Sequence, residues 1–196
     1  MPPIPPITKY LMLACTAIFC VQQIVFLNGL FALFPLGSGN FMPWQVVTYA
    51  FLHGSLLHLF FNMLGLWMFG SELERVWGQR RYLQFYFASV LAAAATQLLV
   101  AAMTGSVYPT VGASGGLFGL LLAFGMMFPN RMIVPLIPPI PMKAKVFVAI
   151  YGALELLLGV SGAASGVAHF AHLGGMLGGY LMIRYWRGQP PFGSRR

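Results

Sequence analysis

The chain contains no aspartate, and its only acids are Glu72, Glu74 and Glu155. The missing aspartate excludes a membrane-embedded aspartyl dyad and any Ser-His-Asp triad. There is no His-Glu-x-x-His run either, and with it goes the usual helical zinc-hydrolase site. Charged residues make up 7% of the chain against 59% hydrophobic, too few to cover a soluble domain. Cysteine is limited to Cys15 and Cys20; five apart, they lie on different faces of one helix and read as packed thiols rather than a disulfide. The opening PPIPPI run leads into an apolar stretch without an Ala-x-Ala site, so the first span reads as a retained helix rather than a cleaved signal.

Six apolar stretches are present, at residues 10–34, 56–77, 82–103, 112–128, 144–160 and 167–186. Each is near the length of a bilayer crossing, at about 1.5 Å per residue over about 30 Å. The basic residues fall before the first stretch (Lys9), after the second (Arg75, Arg80, Arg81), after the fourth (Arg131, Lys143, Lys145) and after the sixth (Arg184, Arg187, Arg195, Arg196). The alternate loops at 35–55, 105–111 and 161–166 have no lysine or arginine. Basic loops stay cytoplasmic, so both termini face the cytoplasm. The expected fold is an all-α membrane protein: a six-transmembrane-helix bundle at 10–186, with a lead at 1–9 and a cytoplasmic tail at 187–196. The net charge of +8 is accounted for by anionic lipid headgroups, and nucleic acid is not called for.

The stretch that stands out is Gly112-Ala113-Ser114-Gly115-Gly116-Leu117-Phe118-Gly119. Pro109 disfavours helix just before it, so the helix starts near Gly112 with Ser114 in its first turn. A serine among glycines at a helix N-terminus suits a nucleophile, since another backbone can come close and free N–H groups face an anion. Gly115 and Gly119 are equally the small-xxx-small pattern of close helix packing. In the second span, His58 and Asn62 are four apart and share a face, as hydrogen-bond donors to a cavity or as interhelical glue. In the sixth, His172 precedes Gly175 by three, putting imidazole and small residue on the face that meets a neighbour. It is the best base in the chain.

Other polar residues read differently. Glu72 and Glu74 sit at the basic edge and read as structural, pairing with neighbouring arginines or capping backbone. Glu155 is the acid away from that edge, so it is a functional candidate, though a neutral or hydrogen-bonded structural role is the simpler one. His169 could join a metal site, but no third ligand is evident, and no metal or cofactor is expected. His53 reads as an outer-surface residue. The apolar outer loop at 36–55 lies against the bundle or in the headgroup region. The proline-rich connection at 129–143 reads as a stiff turn and 161–166 as a small-residue loop suited to bending.

The second, fourth and sixth spans all enter from outside, and each carries its distinctive polar residues near its start. His58, Asn62, Ser114 and His172 therefore reach similar depth and converge if those helices are neighbours. With aspartate absent, what remains is a serine with a histidine alone. A neutral pair is cheaper to bury than one with an ionised third member.

These residues resemble the rhomboid intramembrane serine proteases. The resemblance runs from Trp44 to Gly179: His58-x-x-x-Asn62, Gly112-x-Ser114-Gly115, Ala171-His172-x-x-Gly175, and Glu74 with Gly78. It implies Ser114 as nucleophile, His172 as general base, an oxyanion hole from His58, Asn62 and the Ser114 backbone N–H, and Gly112 shaping the turn. It also implies a substrate that is itself a transmembrane helix, cut near its outer end, and a bacterial plasma membrane as the setting. The family often has Trp-Arg where this chain has Trp44-Gln45, and tyrosine where it has Phe118. The alternatives are a silent rhomboid-like protein that binds membrane helices without cutting, and a proton-coupled transporter working through Glu155, His169 and His172. The transporter would need internal repeats, and none is convincing.

Overall fold

The computed structural model describes residues 3–136, 138–162 and 168–193. Most of the 161–166 loop and the basic residues Arg195 and Arg196 lie outside them. Among the described residues six helices have ten residues or more: α1 Pro6–Gln22, α2 Leu56–Gly65, α3 Ser71–Thr104, α4 Ser114–Met127, α5 Ala144–Ser161 and α6 His169–Trp186. A π-turn, Leu66–Gly70, joins α2 to α3 without a break, and α3 is interrupted at Gly78 (φ 75°, ψ 165°). The second and third apolar stretches thus meet at Gly78. Among the described residues two helical runs, Leu56–Thr104 and Ala144–Ser161, are long and apolar enough by themselves to cross a bilayer.

The first helix departs from the sequence reading at both ends. It starts at Pro6, within the segment read as a lead, because proline at the first position is preset for helix and a distant acid completes the cap. Glu74 accepts from the Ile7 N–H at 2.9 Å, the Thr8 N–H at 2.7 Å and the Thr8 hydroxyl at 2.8 Å. The carboxylate is buried, and these first-turn amides would otherwise lack acceptors. Helix α1 ends at Gln22, not near residue 34. The Gln22 amide donates to Asn28 Oδ1 and accepts from the His53 N–H, which ties the following loop back over the helix end. Ile24 and Phe26 point outward from that loop, so the apolar run continues past the helix as surface. Glu72 remains at the edge, 3.3 Å from Arg75 and 3.1 Å from Arg131.

The outer loop folds against the bundle. Gln45 is fully buried; its carbonyl accepts from the Phe34 and Met42 amides, and its NH2 donates to Leu30 and Asn40 carbonyls. The buried Tyr49 hydroxyl donates to the Val90 carbonyl at 2.8 Å, fixing the loop to α3. Trp44 stays half-exposed, with its indole N–H on the Leu30 carbonyl. The stiff turn at 129–143 contains a short antiparallel pair, β1 Met132–Ile133 with β2 Met142–Lys143.

Helix α6 packs chiefly on α3 and α4. Its buried glycines make this possible: a Cβ on Gly175 would fall on the Gly115 carbonyl of α4, and one on Gly178 would meet Ala92 of α3. Large apolar side chains such as Leu57, Leu99, Leu157 and Leu177 are exposed on the outside, a surface suited to lipid rather than water.

Candidate active site

The segment entering α4 is held from two directions. Leu33 and Thr110 exchange both backbone hydrogen bonds at 2.9 Å, and the Gly112 N–H donates to the Tyr49 carbonyl at 2.9 Å. Gly112 has φ 131°, a conformation glycine adopts freely and other residues do not. Space demands glycine there too, since a Cβ would lie 2.7 Å from His58 Cε1. Two residues later Ser114 opens α4, where first-turn N–H groups have no intrahelical acceptor.

The close α4–α6 crossing brings His172 to the serine. His172 Nε2 is 2.7 Å from Ser114 Oγ. The imidazole lies flat on Phe118, with ring centroids 4.3 Å apart and planes 3° from parallel. Phe118 follows Ser114 by four, one turn deeper on the same helix face, so the phenyl ring limits the tilt of the imidazole without needing a hydroxyl. His58 and Asn62 approach from α2. The Ser55 hydroxyl caps that helix by accepting from the His58 N–H at 3.1 Å. Asn62 donates to the His58 carbonyl at 2.9 Å, while its Oδ1 has no partner among the described residues. His58, Asn62, Leu117, Ser114, Phe118 and His172 line one cavity of about 1320 Å³. Such a cavity admits an extended peptide and water.

Two expectations are corrected. His53 is not on the outer surface: it is 2% exposed and its ring meets His58 edge to face at 5.1 Å. Burial, together with the neighbouring imidazole of His58, pushes its pKa down to about 4. The serine and histidine are also not alone. Glu155 on α5 places Oε2 2.6 Å from His169 Nδ1 and 2.9 Å from His172 Nδ1. The sequence signal for this was the position of Glu155 inside an apolar span, but its partner could be read only once α5 and α6 were known to be adjacent. The three ligand-type atoms lie within 4.8 Å of one another. The 2.6 Å N···O separation is that of a hydrogen bond, whereas two ligands of one tetrahedral ion stand about 3.3 Å apart.

Comparison with known proteins matches the Rhomboid domain profile to residues 40–188. The chain is 32% identical to the rhomboid protease GluP of Bacillus subtilis over 144 residues, covering 70% of this chain and 25% of that protein. It is 34% identical to the mitochondrial rhomboid protein 1 of Saccharomyces cerevisiae over 146 residues, 70% of this chain and 40% of that one. With the rhomboid protease GlpG of Yersinia enterocolitica it shares 29% identity over 189 residues, 92% of this chain and 62% of the other. The chain thus spans less than two thirds of the length of each of these relatives.

Proposed function

The chain belongs to the rhomboid family, and from that premise we propose that it is an intramembrane serine protease cleaving substrate helices near their outer ends through Ser114 and His172. The 2.7 Å contact between Ser114 Oγ and His172 Nε2, facing a cavity of about 1320 Å³, is the observation that carries this reading. The names of the relatives, two of them rhomboid proteases, agree with it.

In this mechanism Ser114 Oγ attacks the scissile carbonyl while its proton passes to His172 Nε2. The carbonyl electron pair moves to oxygen, and the oxyanion is met by the Ser114 backbone N–H, by His58 and by a turned Asn62 amide. Collapse breaks the C–N bond as His172 returns the proton to the leaving amine. Water entering from the cavity then loses a proton to His172 and attacks the acyl-enzyme, and the proton goes back to Ser114. A helical substrate must unwind to present its carbonyl, which favours small or helix-breaking residues at the cut. The reading includes six crossings with both termini cytoplasmic, in a bacterial plasma membrane; the one-sided lysines and arginines support that orientation.

A fluorophosphonate probe tests the chemistry without a known substrate. Wild-type protein in detergent is expected to label and Ser114→Ala to stay unlabelled; labelling that survives the substitution overturns the nucleophile. Co-expression with single-span membrane proteins, comparing the same two forms, then identifies what is cut.

A further inference from the structure

Within the proposed protease reading, on which this step rests, we propose that Glu155 is a positioning residue that completes a Ser114–His172–Glu155 relay, with His169 holding the carboxylate in place. The geometry is specific. Glu155 Oε2 lies between two imidazoles, 2.6 Å from His169 Nδ1 and 2.9 Å from His172 Nδ1. The opposite nitrogen of His172 meets Ser114 Oγ at 2.7 Å. A carboxylate accepts and does not donate, so an ionised Glu155 favours the His172 tautomer with its proton on Nδ1. That leaves the Nε2 lone pair facing the serine hydroxyl, as a general base requires.

The two contacts differ in quality, and the difference bears on mechanism. The bond to His169 is a well-formed hydrogen bond. Among the described residues His172 Nδ1 has no aligned acceptor, despite the 2.9 Å approach of Glu155. Resting catalytic contacts are often oblique and tighten when charge develops. As Ser114 Oγ bonds to the carbonyl carbon, its proton moves to His172 Nε2 and the carbonyl electron pair moves to oxygen. The Nδ1 proton stays on the ring, Glu155 stays a carboxylate, and the new imidazolium faces a negative oxygen. Glu155 biases the tautomer of the resting imidazole, but the charge–charge part of the interaction arises only as the imidazolium forms, so that part acts on the chemical step rather than on binding.

The surroundings fit this role. Glu155, His169 and His172 have side chains only 13%, 7% and 11% exposed, so the charge is shielded from water and strongly felt by its partners. The ionisable groups facing His172 are Glu155 from α5, His169 on its own helix and His58 from α2. Of these only Glu155 can offset an imidazolium. His169 occupies one side of the carboxylate oxygen and restrains its rotation. Phe118 restrains the imidazole from below.

The test uses the full chain in detergent and measures the rate constants of fluorophosphonate labelling. Glu155→Gln keeps the shape but can turn an NH2 toward Nδ1, favouring the wrong tautomer. The maximal labelling rate is expected to fall at least about 100-fold with half-saturation unchanged, towards the about 10,000-fold lost when the orienting acid of a triad becomes an amide. Glu155→Asp restores the charge and is expected to recover at least about tenfold of that loss. Wild-type labelling rates in Glu155→Gln, with Ser114→Ala unlabelled, overturn the relay and leave the protease reading standing. No labelling of the wild type overturns both. Imidazole 15N spectra of the unsubstituted protein give an independent check should Glu155→Gln fold poorly: His172 is expected with a protonated Nδ1 and a bare Nε2, and the reverse tautomer overturns the relay.

Discussion

Phe118 supports His172 by contact alone. The 4.3 Å parallel stack is worth about 0.5–1.5 kcal/mol. Phe118→Ala is therefore expected to slow fluorophosphonate labelling about 2- to 10-fold, while Phe118→Tyr leaves it near wild type. His58 and Asn62 act on the oxyanion in the proposed mechanism, so His58→Ala and Asn62→Ala are each expected to lower kcat about 100- to 1,000-fold with little change in KM. His53 offers a pH effect of separable origin. With a folded pKa near 4 against about 6.5 when unfolded, the unfolded chain binds the extra proton between these values. Stability is then intact above about pH 6.5, declines as pH falls through that window and levels below about 4. Thermal melts from pH 7 to 4.5 are expected to show a steeper loss for wild type than for His53→Gln. At this scale the sequence singled out Ser114, His172, His58 and Asn62, because polar side chains are rare in an apolar span, whereas Phe118 came only from the family resemblance. It misplaced His53, because burial by an outer loop is not written in the residues beside it.

At the scale of elements, the site depends on how closely α4 and α6 cross. Gly175→Ala would push a methyl group into the Gly115 carbonyl. The expected cost is about 1–3 kcal/mol of stability, together with slower labelling as the helix carrying His172 is displaced from the one carrying Ser114. A companion effect arises where α1 docks on α3. Glu74→Gln weakens three hydrogen bonds to the first turn of α1, each charge-assisted in the native protein. A loss of about 1.5–3 kcal/mol is expected, read as a lower Tm with the labelling rate of the folded fraction unchanged. The glycine rhythm marked α4 and α6 in the sequence as close-packing helices, without saying which helix each would meet. The start of α1 did not announce itself, since its cap comes from a residue 66 positions away. The third contact of His172 was hidden for the same reason: Glu155 and His172 lie on separate helices, and hydropathy gives no record of which helices are neighbours.

Across the whole molecule, the buried polar groups face inward, to helix–helix contacts, the folded outer loop and the cavity, while Leu57, Leu99, Leu157 and Leu177 lie exposed on the outside. A protein with such a surface partitions into lipid, and the family assignment to an integral membrane protein agrees with it. The proposed orientation is checked by fusing a reporter that fluoresces only in the cytoplasm to the C-terminus: a bright fusion is expected, and a dark fusion with intact expression argues against an even number of crossings from a cytoplasmic start. Composition alone settled that this chain is apolar and poor in charge. The periodic glycines, the serine set among them at position 114 and the histidines pointed to a candidate chemistry, because residue type and local spacing are properties of the chain itself. What only the tertiary structure decided was pairing at a distance: Glu74 on the start of α1, Gln45 inside the outer loop, His53 against His58, and Glu155 beside two histidines. Each pairing is set by which surfaces can be buried together at close packing, and that choice is made by the folded bundle as a whole.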